Sequence, residues 1–311
     1  MSSRPGSAAF AYALAAMLAL VVALQVVRDR AFAANMVEQD LMYVTSGEVM
    51  KRAALSYDAI AADVYWIRAL QHFGGERQKA PELRRFDLLY PLLDLTTTLD
   101  PLFTVGYRFG AIFLAEAKPG GAGRPKDAIA LLEKGIKFNP AKWDYYYDVG
   151  FIYYWHLHDY ERAAEWFDRG GKIEGAPWWL RTYAAVMLTR GGDRQASRAM
   201  WAKIGQNEES EWLRQTAQLR LAQLDALDNI DTLRPVLANF TNRTGRVPTT
   251  WDEIAAAGLI RGLPIDPAGI PYAIEDGDIG VRRDSPLWPL PTEPAAAPEL
   301  MSAEPPPVQM K

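Results

Sequence analysis

The pattern of apolar and polar positions divides the chain into five stretches. Residues 8–27 are twenty consecutive positions without a charge. As a helix rising 1.5 Å per residue they span about 30 Å, the thickness of a bilayer's hydrocarbon core. Residues 61–73 repeat apolar positions with helical period. Residues 86–99 predict a second helix, closed by Leu99-Asp100-Pro101. Paired helical blocks then run from 102 to 207. Residues 210–227 predict one more long helix, followed by a helix to about Phe240, a turn over 245–248 and a short helix from Asp252. Residues 272–274 and 279–281 are candidate strands about a turn at Gly277. Residues 285–311 hold eight prolines. They predict a disordered Pro/Ala-rich tail, because too little apolar surface is present to offset the entropy of ordering.

The middle stretch repeats itself. Its second helices lie within 123–140, 159–177 and 192–204 and align Ala128, Ala163 and Ser197, spaced 35 and then 34 residues apart. The first helices align Phe109-Gly110, Val149-Gly150 and Ala184-Ala185, followed three residues later by Phe113, Tyr153 and Leu188. Pro140 and Pro177 end the first two units. The Gly110–Gly150 interval is 40 residues, and the excess falls in the loop 118–125, read as a flexible insertion. This register resembles the tetratricopeptide repeat family over residues 102–207. The third unit departs from the pattern, lacking the first-helix glycine and the closing proline. The resemblance implies an all-α fold, a solenoid of helical hairpins. Residues 34–101 would hold a degenerate unit, and 208–284 a capping helix with a small α+β segment.

Within that last segment, the proline turn, the run Asp266-Pro267-Ala268-Gly269-Ile270-Pro271-Tyr272 and the small hairpin are similar to the C-terminal part of type II secretion pseudopilins.

Composition narrows the chemistry. With no cysteine, disulfides, thiolate zinc sites, cysteine nucleophiles and a lipoprotein-type anchor are excluded. A net charge of −4 without a basic block gives no footprint for nucleic acid. His156-Leu157-His158-Asp159 reads as turn histidines, because zinc needs three or four convergent ligands. Glu275, Asp276 and Asp278 read as turn formers rather than a calcium site. The Gly-rich run at 120–126 lacks the Walker spacing and lies between helices. No catalytic constellation or cofactor motif emerges, so a non-enzyme is expected; an envelope hydrolase is the weakest alternative.

The repeat resemblance implies a concave groove lined by first helices, with other proteins or peptides as ligands. Projected onto this chain, the groove would hold Tyr107 from the first unit. The second unit would supply Tyr147, Phe151, Tyr154 and Trp155, and the third Trp179 and Thr182. Rings in such positions offer large contact area at low rotamer entropy. Trp143, Tyr146 and Tyr153 are assigned to packing. Residues 8–27 imply a single-pass membrane anchor with the bulk of the chain outside the cytoplasm; together with the repeat and pseudopilin resemblances this implies a bacterial inner membrane and a periplasmic location. The alternative is a signal peptide cleaved after Ala31-Phe32-Ala33. Together these features predict a membrane-anchored scaffold for an envelope machine such as a pilus or secretion system, or else an accessory subunit of a transporter.

Overall fold

The computed structural model describes residues 5–32, 47–206 and 210–293 of the 311. Two compact units divide the chain, Met1–Asp100 and Pro101–Lys311. The described residues form twelve α-helices, one 3-10 turn and a single two-stranded sheet, so the class is all-α.

The first unit holds α1 (Pro5–Phe32), α2 (Gly47–Ala53), α3 (Asp58–Gln78) and α4 (Leu89–Leu99). On α1 the described side chains are Tyr12 and residues 14–27, all of them exposed. Among the described residues no helix is long and apolar enough to cross a membrane. Helix α3 buries Ala62, Tyr65, Ala69 and Phe73, spaced three and four apart, against the leucine-rich α4. Near the end of α3, Glu76 is buried. Its carboxylate accepts from Lys79 Nζ and from the Arg85 amide, each at 2.7 Å.

Two titrations meet on that turn. Burial lowers the His72 imidazole below its ordinary 6.5, and its Nε2 has no hydrogen-bond partner. For Glu76 burial acts upward, but the Lys79 and Arg85 bonds outweigh it and hold the carboxyl below its ordinary 4.5. In both cases the unfolded chain takes up its proton first as pH falls, so acid destabilises α3. The loss begins below pH 6.5 through His72 and is renewed below 4.5 through Glu76. Hydrogen exchange of the α3 amides across pH 7 to 3 checks this. The first step should vanish in His72→Gln and the second in Glu76→Gln.

The second unit runs α5 (Thr104–Ala115), α6 (Pro125–Phe138), α7 (Trp143–Trp155), α8 (Tyr160–Gly171), α9 (Trp179–Arg190), α10 (Arg194–Gly205) and α11 (Glu211–Thr244). It ends with α12 (Trp251–Ala256), β1 (Ala273–Glu275) and β2 (Asp278–Gly280). From α5 to α11 each helix packs on the next, and α5 also reaches α7. Asp159, Asp193 and Ser210 cap α8, α10 and α11, each side chain accepting an amide from the first turn. The aligned small residues Ala128, Ala163 and Ser197 are all at 0% exposure. Close approach explains them. A Cβ on Gly150 would stand 2.6 Å from the Phe167 ring and 3.2 Å from the Ala163 carbonyl oxygen. Ala163→Leu should therefore overpack the α7–α8 seam and cost about 1–3 kcal/mol in a denaturant melt. An unchanged midpoint would refute that seam.

Three expectations are corrected. The loop 118–125 is not a free insertion: the Ala122, Gly123 and Arg124 amides bond back to Phe113, Glu116 and Leu114, and Ala122 is buried. The helices expected at 210–227 and up to Phe240 are one helix, α11, which continues through Pro235 to Gly245 in the left-handed region at φ 72°. Residues 285–293 belong to the fold rather than to a disordered tail. Ser285 and Leu287 are buried, and Gln223 Nε2 donates to the carbonyls of Leu287 and Pro289 at 2.9 and 3.0 Å. Residues 294–311 lie outside the described residues.

The hairpin forms where the strand pattern predicts it, Ala273 opposite Gly280 and Glu275 opposite Asp278. Its Ile279 joins Tyr272, Trp251, Ile254, Phe240 and Ile230 in a core over the C-terminal half of α11. The Trp251 indole donates to the Tyr272 carbonyl at 2.8 Å, tying α12 to the residue that precedes β1.

Candidate functional site

Helix α7 is unusually aromatic, Trp143-Asp-Tyr-Tyr-Tyr-Asp-Val-Gly-Phe-Ile-Tyr-Tyr-Trp155. At 100° per residue such a run cannot turn every ring inward. Tyr145 and Tyr146 are buried, together with Val149 and Ile152. Tyr147 and Tyr154 are half-buried, Phe151 is 37% exposed and Trp155 is 58% exposed.

These rings form a connected surface. Phe151 stacks on Trp155 at 6.1 Å with only 9° between planes. It also meets the Tyr147 and Tyr154 rings, each at 6.2 Å. From Tyr147 the surface crosses to α9, where Trp179 stands edge-on at 5.5 Å and contacts Tyr183 at 5.3 Å. Tyr183 is 45% exposed. At the other end of α9, Arg190 donates to the Tyr154 hydroxyl at 2.6 Å and lies over that ring at 5.3 Å.

On the α5 side the link is ionic. Arg108 donates to both oxygens of Asp148, at 2.6 and 3.1 Å, and approaches Asp144 at 3.6 Å. Burial pushes the Asp148 carboxyl above its ordinary value against the pull of Arg108, while the bond to Asp148 holds Arg108 firmly protonated. This fork fixes α5 beside α7. Helix α5 itself exposes Val105, Phe109 and Ile112, which share one face by their spacing.

The expected groove residues therefore separate. Tyr147, Phe151, Tyr154, Trp155 and Trp179 come together in one ring surface. Thr182 is half-buried, and its hydroxyl donates to the Trp179 carbonyl of its own helix. Tyr107 is corrected: at 0% exposure it packs on Tyr145 and fills the space left by Gly135, so it belongs to the core. Of the rings assigned to packing, Tyr146 is buried, whereas Trp143 and Tyr153 are half-buried. Tyr183 is a further member of the surface, absent from the groove expected from sequence, although its i, i+4 spacing from Trp179 marks it.

The Asp278 carboxylate of the acidic turn is held by Arg234 at 3.1 and 3.3 Å. Among the described residues no group of three or more His, Asp or Glu is arranged to hold a metal ion. A charge network joins α10, α11 and the C-terminal segment. Arg194 donates to Asp228, Asp231 and Glu293, and Arg198 to Asp225 and Asp228. This network too was not expected, and its signal is plain: Arg at i, i+4 on one helix and Asp at i, i+3, i+6 on another.

No family model, curated protein or solved structure matches the chain.

Proposed function

We propose that this chain is a membrane-anchored scaffold that binds partner proteins through the ring surface of α7 and α9, flanked by α5. The observation that carries the reading is the Phe151–Trp155 stack. Two large rings stand open to solvent on a helix whose other side is fully packed. Exposed aromatic clusters of this kind mark interaction sites more often than idle surface. The packed helical pairs, with buried small residues at tetratricopeptide register, favour a repeat scaffold over an enzyme. The described part of α1 is not by itself long and apolar enough to cross a membrane, and the anchor reading rests on the sequence, where the uncharged run 8–27 has the length of a span. Its helix α1 exposes all its described side chains, as a segment meeting lipid would. The pseudopilin-like C-terminal segment favours assembly of a pilus or secretion apparatus in a bacterial envelope, with the bulk of the chain periplasmic.

The test is crosslinking in native membranes, with p-benzoylphenylalanine placed at position 155 or, as a control, at the exposed Glu165 of α8. A discrete foreign chain captured from 155 and not from 165 is the expected result. Equal capture at both positions would sink the groove assignment. Recovery of a transporter core instead of pilus or secretion components would move the protein to the accessory class. Mass spectrometry of the mature N-terminus decides the anchor, because a chain starting at Ala34 would have lost it.

A further inference from the structure

Helix α3 of the first unit is apolar on both sides. Ala62, Tyr65, Ala69 and Phe73 are buried against α4, while Ile60, Val64, Ile67 and Leu70 are exposed. At 100° per residue, Ile60, Val64, Ile67 and Gly74 fall within about 40° of one line along the helix, opposite the buried face, with Leu70 beside it. A helix that is apolar all round is ordinarily covered all round, yet this line is open. Gly74 and Gly75 continue it toward the C-terminus of α3. A glycine inside a helix weakens it relative to alanine, so each needs a reason. Other helical glycines have one: a Cβ on Gly170 would stand 2.8 Å from the Leu180 side chain, and one on Gly135 3.0 Å from the Tyr107 ring. A Cβ on Gly74 or Gly75 would meet nothing within 4 Å. Nothing among the described residues requires them, whereas a backbone arriving from outside would.

The charges beside the line identify what covers it. Asp63 and Arg77 are both exposed, and among the described residues neither makes an ion pair; Arg77 lies only over the Phe73 ring. They sit on the same flank of the helix, with Leu70 midway between them in sequence and on that flank too. When two identical helices pack antiparallel about a two-fold axis, each flank faces its own copy. An axis at Leu70 therefore sets acid opposite base twice over. The same axis sets the bulky half of the line, Val64 and Ile67, opposite the flat half, Gly75 and Gly74. A lipid surface or an unrelated helix would also cover the apolar residues, but it would not account for both exchanges at once.

We propose that α3 is the contact of a homodimer, in which two copies of the helix cross antiparallel at Leu70 and each Asp63 pairs with an Arg77 across the axis. Such a contact is self-complementary, residue i meeting j and j meeting i, and it closes at two chains. The missing Cβ atoms of Gly74 and Gly75 let Ile67 and Val64 of the opposite copy settle close to the helix backbone.

The purified full-length chain in detergent tests it, by light scattering after size exclusion at several protein concentrations. Two chains per particle, dissociating on dilution, is the expected result. Gly75→Leu places its side chain in open space and improves helix propensity, so the unfolding midpoint should stay or rise while the dimer Kd rises tenfold or more. Asp63→Arg and Arg77→Asp should each weaken the dimer about tenfold, since each sets like charges opposite at two symmetric places. The two reversals in one chain should restore it. Restoration separates a second copy from any other occupant, because only a copy carries the compensating change. One chain per particle at every concentration would overturn the proposal. So would a dimer that withstands Gly75→Leu, which another surface would then hold. If Gly75→Leu breaks the dimer but the double reversal does not restore what either reversal lost, the antiparallel pairing at Leu70 is wrong and the proposal falls.

Discussion

Trp201→Ala should lower the stability of the second unit by about 3–5 kcal/mol, the usual cost of emptying a fully buried indole site. Trp201 is 2% exposed on α10, where Ala185 of α9 and Leu213, Ala217 and Leu224 of α11 enclose it. The enclosure is built to fit one large ring. Ala185 and Ala217 are both at 0% exposure, and a Cβ on Gly205 would already stand 3.2 Å from that of Ala217. Three helices meet there, so the cavity cannot close by moving one of them. Denaturant unfolding followed by circular dichroism reads the change, and Trp201→Phe should cost less because most of the ring volume stays. A loss below about 1 kcal/mol would mean that the site collapses freely and that α10 is not the join between the helical pairs and α11.

How much of this could be read beforehand depended on how local the cause was. Ala128, Ala163 and Ser197 were legible from spacing alone, because a helix pair that approaches closely demands a small residue at a fixed register. The Ser197 hydroxyl needs buried partners as well: it donates to the Ala185 carbonyl at 2.8 Å and pairs with the Thr189 hydroxyl at 2.7 Å. Tyr107 was placed on the wrong side because one helical step of 100° separates a core ring from a groove ring. The same register holds Val149 at 0% exposure and Phe109 at 52%. Helix α5 opens its unit, so no earlier hairpin of that unit covers its outer side. Composition misled at 285–293. Prolines there suggested disorder, but Leu287 has a buried seat, and the clamp on its carbonyl comes from Gln223, 64 residues away. Such a contact leaves no periodic trace in the sequence. The α10–α11 charge network does leave one, in the spacing of its arginines and aspartates.

The last expected result is the functional one. Trp155→Ala should weaken partner binding by about 2 kcal/mol, roughly 30-fold, while leaving the unfolding midpoint nearly unchanged. The two effects separate because the ring is 58% exposed and its ring partners are the exposed Phe151 and the half-buried Tyr154. Little burial is lost from the folded chain, whereas a bound partner would desolvate the whole stacked face. Trp143→Ala supplies the contrast. That ring is half-buried at the start of α7, edge-on to Trp179 at 5.9 Å and packed on the Leu180 and Ala184 cluster, so its loss should appear as stability. The comparison uses the full-length variants and titrates them with the chain captured from position 155. If Trp155→Ala instead lowers the unfolding midpoint and binds as tightly per folded molecule as the parent, the ring is part of the core and the binding surface lies elsewhere.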